Sequence, residues 1–355
     1  INNKKFKARI DSKENFYLIQ PYLNFVHKFN DKTSLNTGVF SQFLTLNNKF
    51  VFEPRVSLRH QISSKHMLNL SYGIHSQMQS TYLYFAIPDS IIQDNKPTIN
   101  TIQQQSNKDL DFSKSQHLVF GYDYFVTSHF KLKTELYYQY LWNVPVYQVP
   151  SSVSAINRGA TFTRFFPIYT MQNTGTGYNY GLELTLEKLY YKHYFFMLSG
   201  SLFESKYKAS NGKTANTDFN GNYMCNFLGG LEYSIGKNKK NSLSVGTKFT
   251  YGGGKRYSPV NLSASNAVMD IVAEDDKVNT LQFPAYNRLD FRISYKINGK
   301  KIGTEIALDL VNILNTKNIL ALSYSPDPAN RLNKQPWAEN YQLGRLPLFY
   351  VKFDF

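Results

Sequence analysis

Apolar side chains recur at every second position through most of this chain, and helical spacing hardly appears. In 131–142, Leu132, Thr134, Leu136, Tyr138, Tyr140 and Trp142 share one side, while Lys131, Lys133, Glu135, Tyr137 and Gln139 share the other. Successive side chains on a strand point to opposite faces, so this alternation predicts a strand with one apolar and one polar surface. Segments 115–126, 177–187, 242–251 and 288–296 repeat the pattern. It predicts about thirteen strands between Phe16 and Phe355, with a partial one at Lys5–Ile10.

The connections alternate in length. Short polar turns are predicted at Asn30–Ser34, Ser63–His66, Ser128–Phe130, Tyr191–His193, Lys237–Asn241 and Asn298–Gly303. Longer irregular stretches lie between them at Ala86–Ser113, Val149–Thr176, Ser210–Asn222, Val260–Pro284 and Ala321–Gln342, and only Asn47–Lys49 breaks the rule. A soluble sandwich mixes loop lengths through Greek-key crossings. A short–long meander is the plan of a transmembrane antiparallel β-barrel in the bacterial outer membrane, with tight turns in the periplasm and long loops outside. The apolar faces have no predicted helix to cover them, which leaves lipid as their partner. Tyr and Trp crowd strand ends near the long loops, as in Tyr138-Tyr140-Trp142, Tyr178-Tyr180 and Tyr82-Tyr84-Phe85, where amphipathic rings suit the headgroup level.

Composition removes other classes. The single Cys225 excludes an intrachain disulfide and any cysteine-based metal cluster. No apolar run reaches the roughly 18 residues of a spanning helix. The polar, basic opening Ile1–Lys5 has no apolar segment behind it, as expected of a mature or truncated chain. The sequence contains no Gly-x-Ser-x-Gly elbow, His-Glu-x-x-His pair or phosphate-cradling loop, so no enzyme and no cofactor are expected. The formal charge of +15 raises nucleic-acid binding. The basic residues are scattered, however, and a distinct group occupies the short turns: Lys32, Lys65, Lys192, Lys237, Lys239, Lys240, Lys300 and Lys301. That group is expected to face the inner leaflet or the periplasm rather than a duplex.

In the last strand Phe349, Val351, Phe353 and Phe355 share one face against Leu348, Tyr350, Lys352 and Asp354. A terminal aromatic closing an alternating strand resembles the signal read by the barrel-assembly machinery. Further stretches carry a family resemblance: Glu53-Pro54-Arg55 running into Ser57-Leu58-Arg59, Tyr72-Gly73-Ile74-His75-Ser76-Gln77, Tyr286 to Arg292, Asn312-Ile313-Leu314-Asn315 with Asn318, and Gly344-Arg345-Leu346-Pro347. Together they resemble TonB-dependent receptors, in particular the branch of SusC-like nutrient importers. The resemblance implies a barrel of about 22 strands with an N-terminal plug, importing a ligand with energy from a TonB complex. Residues 1–355 would then be the C-terminal portion of the barrel, roughly its last thirteen strands, with no second domain; the plug and the TonB-contacting segment would precede them. A smaller closed barrel of even strand number is the alternative.

Strand parity also nominates site residues. On 51–61 it turns Glu53, Arg55, Ser57, Arg59 and Gln61 inward, and on 67–79 Asn69, Ser71, Gly73, His75, Gln77 and Gln79. Across the Ser63–His66 turn, Arg55, Arg59, His75 and Gln77 could form one polar patch, serving ligand or plug contact or only a static lining. Arg288, Asp290 and Arg292 face Glu305 and Asp309, opposite charges suited to knitting the wall. The acidic residues Asp270, Glu274, Asp275 and Asp276 invite a calcium site but lack a loop-defining spacing, so no metal is expected. Trp337, Phe165, Phe166 and Tyr169 are candidate stacking platforms in outer loops. Two roles follow: an importer of a nutrient ligand, or a receptor-like barrel serving as scaffold in a surface complex with a lipoprotein lid. A passive pore is a third.

Overall fold

The computed structural model describes residues 8–93, 96–99, 104, 107–157, 167–236, 239–325 and 337–355. One antiparallel sheet of fifteen strands dominates it. Two of these are short additions, Leu18–Ile19 and Thr214–Asn216, and the other thirteen form the wall. In chain order these are β1 (Tyr22–Asn30), β2 (Thr33–Leu44), β3 (Lys49–Gln61), β4 (His66–Gln77), β5 (Ser113–Thr127), β6 (Phe130–Tyr147) and β7 (Met171–Tyr191). They continue with β8 (Tyr194–Lys208), β9 (Tyr223–Ile235), β10 (Asn241–Gly252), β11 (Tyr286–Asn298), β12 (Gly303–Val311) and β13 (Leu346–Asp354). Each pairs with the next in an unbroken meander, and the sheet is open, with β1 and β13 as its edges.

The register carries the predicted parity across the wall. Asn179 of β7 pairs with Gln139 of β6 and Ser205 of β8, a polar row, while the adjacent Tyr180 pairs with Tyr138 and forms an apolar one. The apolar rows stay exposed: Phe52, Leu118, Phe120, Leu136, Leu184 and Leu202 all face away from protein. An apolar surface this continuous, on strands of 9–21 residues, is what a barrel wall presents to lipid.

Several sequence expectations are corrected here. The first of the predicted strands, expected to begin at Phe16, is interrupted between Ile19 and Tyr22 at Pro21, which has no N–H for a ladder. The long connections also carry structure of their own. Hairpins form at Ser90–Gln93 with Lys96–Ile99, Arg256–Tyr257 with Leu281–Gln282, and Ile319–Tyr324 with Trp337–Tyr341, and a helix spans Leu262–Val268, capped by the Asn261 side chain accepting from Ala264 N. Tyr82, Tyr84 and Phe85, lastly, do not belong to a lipid-facing belt. The chain leaves β4 at Gln77 and turns through Thr81–Tyr84, which drives Tyr84 and Phe85 into a core with Leu44, Val51, Phe112 and Met171. Of the expected strand at Lys5–Ile10, residues 5–7 lie outside the described residues, and Ile10 bridges Ala86 instead of joining the wall.

The packed core therefore sits at the long-loop end. It also accounts for the one short turn found there: the Asn47 side chain donates to the Lys108 and Leu110 carbonyls, both at 2.9 Å, so the loop after β4 roofs the β2–β3 turn. At the same end β6 and β7 continue beyond the neighbouring strands through a bulge at Gly175, where an added Cβ would lie 2.6 Å from Val146 Cγ1 and 2.7 Å from the Val144 carbonyl.

The two faces predict opposite responses to one substitution. Leu184→Arg on the apolar face should cost about 2–4 kcal/mol of folding stability in a bilayer, while Ser199→Arg on the polar face costs under about 1 kcal/mol. Urea unfolding of the protein in vesicles measures both.

Candidate ligand-facing site on the polar wall

Strands β2 to β5 place the sequence-nominated residues. Pairing of β3 with β4 runs from Gln61↔Met67 to Arg55↔Gly73 and stops beside Pro54, whose ring carries no N–H. Beyond that point the strands fork, and the Glu53 carboxylate, only 2% exposed, fills the gap. Its Oε1 accepts from Gln42 Nε2 (2.7 Å), Ser76 N (3.1 Å) and Ser76 Oγ, and its Oε2 accepts from Arg55 Nη2 (2.7 Å). The carboxylate thus substitutes for the ladder partner that Ser76 N lost. A carboxylate taking several donors is the arrangement in which burying a charge is tolerated.

Arg55 lies with its guanidinium carbon 4.0 Å from the Phe40 ring centroid, a cation–π contact that fixes the side chain across the wall. Gly73, opposite it, makes room: an added Cβ would lie 3.2 Å from Arg55 Cγ and 3.3 Å from His75 Nε2. Through that gap His75 meets His117 of β5, ring centroids 4.8 Å apart at 75°. His117 Nε2 is 3.0 Å from Ser115 Oγ and 2.9 Å from Gln139 Nε2, and Gln139 Oε1 accepts from Asn179 Nδ2 at 2.6 Å. Arg55, His75 and His117 line a cavity of about 510 Å³ with Tyr22, Asn36 and Phe40. A guanidinium, two imidazoles and aromatic faces can receive a ligand that carries acceptor atoms on a flat or apolar body.

The expected four-residue patch is not one unit. Arg55 and His75 converge, but Arg59 turns to Met67, its Nε donating to Sδ, and lines a separate recess toward the Asn30–Thr33 turn. Gln77 lies past the fork, in a cavity of about 250 Å³ with Gln79, Ser113 and Leu141. Arg59 lies about 13 Å along β3 from Arg55 and is held by Met67 instead, and Gln77 lies beyond the point where β3 and β4 part. The patch gains His117, Gln42 and Ser76. His117 sits on the predicted polar face, but its pairing with Gly73 depends on a register that crosses the long loop before β5.

A second cluster lies on β11–β12. Arg292 donates to Asp309 Oδ2 (3.0 Å) and Glu305 Oε1 (3.0 Å) across the strand pair, whereas Arg288 pairs within its own strand, Nε to Asp290 Oδ1 at 2.7 Å. Asp290 also accepts from Asn312 N at 2.8 Å, tying the start of the next turn to the wall. Arg292 is 43% exposed, so these pairs are worth about 1 kcal/mol each or less.

In the loops, the acidic residues are engaged separately. Asp275 accepts from Ser152 N (3.0 Å) and Ser152 Oγ, joining two loops 123 residues apart, while Glu274 pairs with Lys277 at 2.8 Å and Asp270 accepts from Ile271 N. Among the described residues no group of three or more His, Cys, Asp or Glu converges as metal ligands would. Of the nominated loop aromatics, Tyr169 packs edge-on to Tyr147, Trp337 opens the hairpin paired at Tyr324, and Phe165 and Phe166 lie outside the described residues. Phe349 on the apolar face of β13 is 83% exposed, and Phe355, just beyond the strand, is 98% exposed.

Residues 11–315 match the family described as TonB dependent receptor-like, beta-barrel. The chain belongs to that family. Curated proteins include none that matches it. Solved structures of receptors are similar in fold. The ferripyoverdine receptor of the outer membrane of Pseudomonas aeruginosa superposes with a TM-score of 0.58 at 13% identity, covering 95% of this chain and 38% of that one. The siderophore receptor PiuA of Acinetobacter baumannii gives 0.57 at 15%, covering 95% and 43%. The ferric yersiniabactin uptake receptor FyuA of Yersinia pestis gives 0.57 at 12%, covering 96% and 46%. The chain thus spans about two fifths of the length of these receptors. Family and fold place this TonB-dependent receptor barrel in the outer membrane.

Glu53→Ala leaves Ser76 N–H, the Gln42 amide and Arg55 without their shared acceptor and should cost about 3 kcal/mol, with Glu53→Gln costing about half of that. Chemical denaturation in detergent micelles checks the order.

Proposed function

We propose that this chain is the C-terminal portion of the barrel of a receptor that imports a nutrient ligand across the outer membrane, with residues 1–355 contributing wall and no second domain. Two observations support its being part of a larger barrel: the sheet ends in unpaired edges at β1 and β13, and the similar receptors are more than twice as long. In this reading a plug and a TonB-contacting segment belong to the N-terminal part of the protein, and the TonB complex supplies the energy. Placement in the SusC-like branch rests on the sequence motifs, while the similar solved structures are siderophore receptors.

The observation that carries the reading is the Glu53–Arg55–His75–His117 group. It places a fixed cation and two imidazoles beside a cavity on the polar face, on strands rather than on loops, which is where a ligand or the plug passes during transport. Arg59 and Gln77 line the same wall at other depths and are assigned to contacts along the path. Arg288, Asp290, Arg292, Glu305 and Asp309 are assigned to the wall itself, since their charges are spent on one another. Phe349, Val351, Phe353 and Phe355 are assigned to recognition by the barrel-assembly machinery, and a surface lipoprotein is the partner proposed for the structured outer loops.

Mass spectrometry of small molecules co-purifying from the native membrane identifies the ligand. Arg55→Ala together with His75→Ala should reduce its accumulation in cells at least about tenfold, the effect of losing about 1.4 kcal/mol, while surface abundance stays unchanged. Accumulation that persists in cells lacking TonB counts against active import and for a scaffold or a passive pore. Removal of Phe355 should lower the amount of barrel in the outer membrane, as read by surface labelling.

A further inference from the structure

The periplasmic rim of the wall is built differently from the rest of its apolar surface. Five of the seven histidines, His27, His60, His66, His129 and His193, lie in the short turns or within three residues of them. Three of these stack on tyrosines: His66 on Tyr124 (centroids 4.9 Å), His129 on Tyr191 (4.1 Å) and His193 on Tyr233 (5.3 Å). Among the six short turns, Asp31 is the sole carboxylate, while five of the turns carry lysine. The register places His66, Tyr124, Tyr194 and Tyr233 on the lipid-facing side, in line with Leu231 and Leu243.

The β7–β8 hairpin is the most organised point of this rim. Lys188 Nζ donates to the carbonyls of Leu189 (3.4 Å), Tyr191 (3.0 Å) and Tyr194 (3.2 Å) and lies 3.6 Å from the Tyr194 ring centroid. Its protons are thus used to hold the turn. The turn itself bends at Lys192 and His193, with φ of 52° and 74°. Tyr190 Oη and His193 Nδ1 both donate to the Glu232 carbonyl, at 3.4 and 3.2 Å, which docks the hairpin tip onto β9. Lys192 is left exposed at the tip, beside the exposed rings of Tyr190 and Tyr191.

We propose that this rim is a binding surface for the phosphate headgroups of anionic phospholipids in the inner leaflet, with Lys192 at the β7–β8 tip and Lys65 at the β4 start as its phosphate-binding cations. Charge complementarity carries the assignment. The six short turns hold eight lysines and one carboxylate, the aromatic rings next to them are amphipathic and suited to the headgroup level, and the apolar rows directly above accept acyl chains. A soluble acidic protein would match the charge but not the apolar surface continuous with it.

The test places the whole receptor in nanodiscs of equal parts phosphatidylglycerol and phosphatidylcholine and counts the lipids retained on release, by native mass spectrometry. Phosphatidylglycerol should be enriched. Lys65→Gln and Lys192→Gln should each lower the enrichment about fivefold, while Lys213→Gln in an outer loop leaves it unchanged. The wild-type enrichment should also fall as salt rises from 0.05 to about 0.5 M, because exposed charges are screened over that range. Equal retention of the two lipids, or unchanged enrichment in the double Lys65→Gln, Lys192→Gln variant, overturns the proposal. Displacement of phosphatidylglycerol by millimolar inorganic phosphate overturns it too, assigning the rim to a free anion.

Discussion

The hydrogen-bond ladder between consecutive strands is the interaction on which everything else in this molecule depends. A wall that faces lipid has no water to satisfy its backbone, so each N–H and C=O must find its partner in a neighbouring strand. That requirement forces a meander, aligns the side chains in rows across thirteen strands, and leaves only side-chain identity free to vary. It also explains why the departures from the ladder are informative. Where β3 and β4 part beside Pro54, a backbone donor is released, and the molecule answers with a carboxylate in place of a carbonyl.

From that substitution the candidate site follows. Glu53 takes the Ser76 donor and in doing so fixes Arg55, Arg55 is laid over Phe40, and the missing side chain at Gly73 lets His75 and His117 approach. The same carboxylate therefore repairs the wall and holds a guanidinium beside a cavity. On β11–β12 the comparable ingredients give a different result, because Arg292 is shared between two carboxylates and little of its hydrogen-bonding capacity is left for a ligand.

The two ends of the wall solve different problems. The long loops pack against one another through Tyr84, Phe85 and Phe112 and through ties such as Ser152 to Asp275, which makes a protein core at that end of the wall. Among the described residues the short turns have no such core. They are held by local devices: Lys188 bonded to three carbonyls of its own hairpin, and histidines stacked on tyrosines of the adjacent strand.

Parity alone made the fold class legible, because a period of two with one apolar face has few physical solutions once no helix is available to cover it. It placed Glu53, Arg55, His75 and Arg292 on the polar face and Phe349, Val351 and Phe353 on the apolar one. Strand order was equally readable, since a short turn such as Ser63–His66 leaves its two strands only one way to pair. Only the tertiary structure decided the rest. A long loop does not fix register, so the meeting of His75 with His117 had to come from the actual pairing of β4 with β5. The Met67 contact and the fork beside Pro54 separated Arg59 and Gln77 from Arg55. The folded loops, which drew Tyr84 inward, arise from packing between segments far apart in sequence, and the histidine–tyrosine rim arises from rings on neighbouring strands; neither has a local period to announce it.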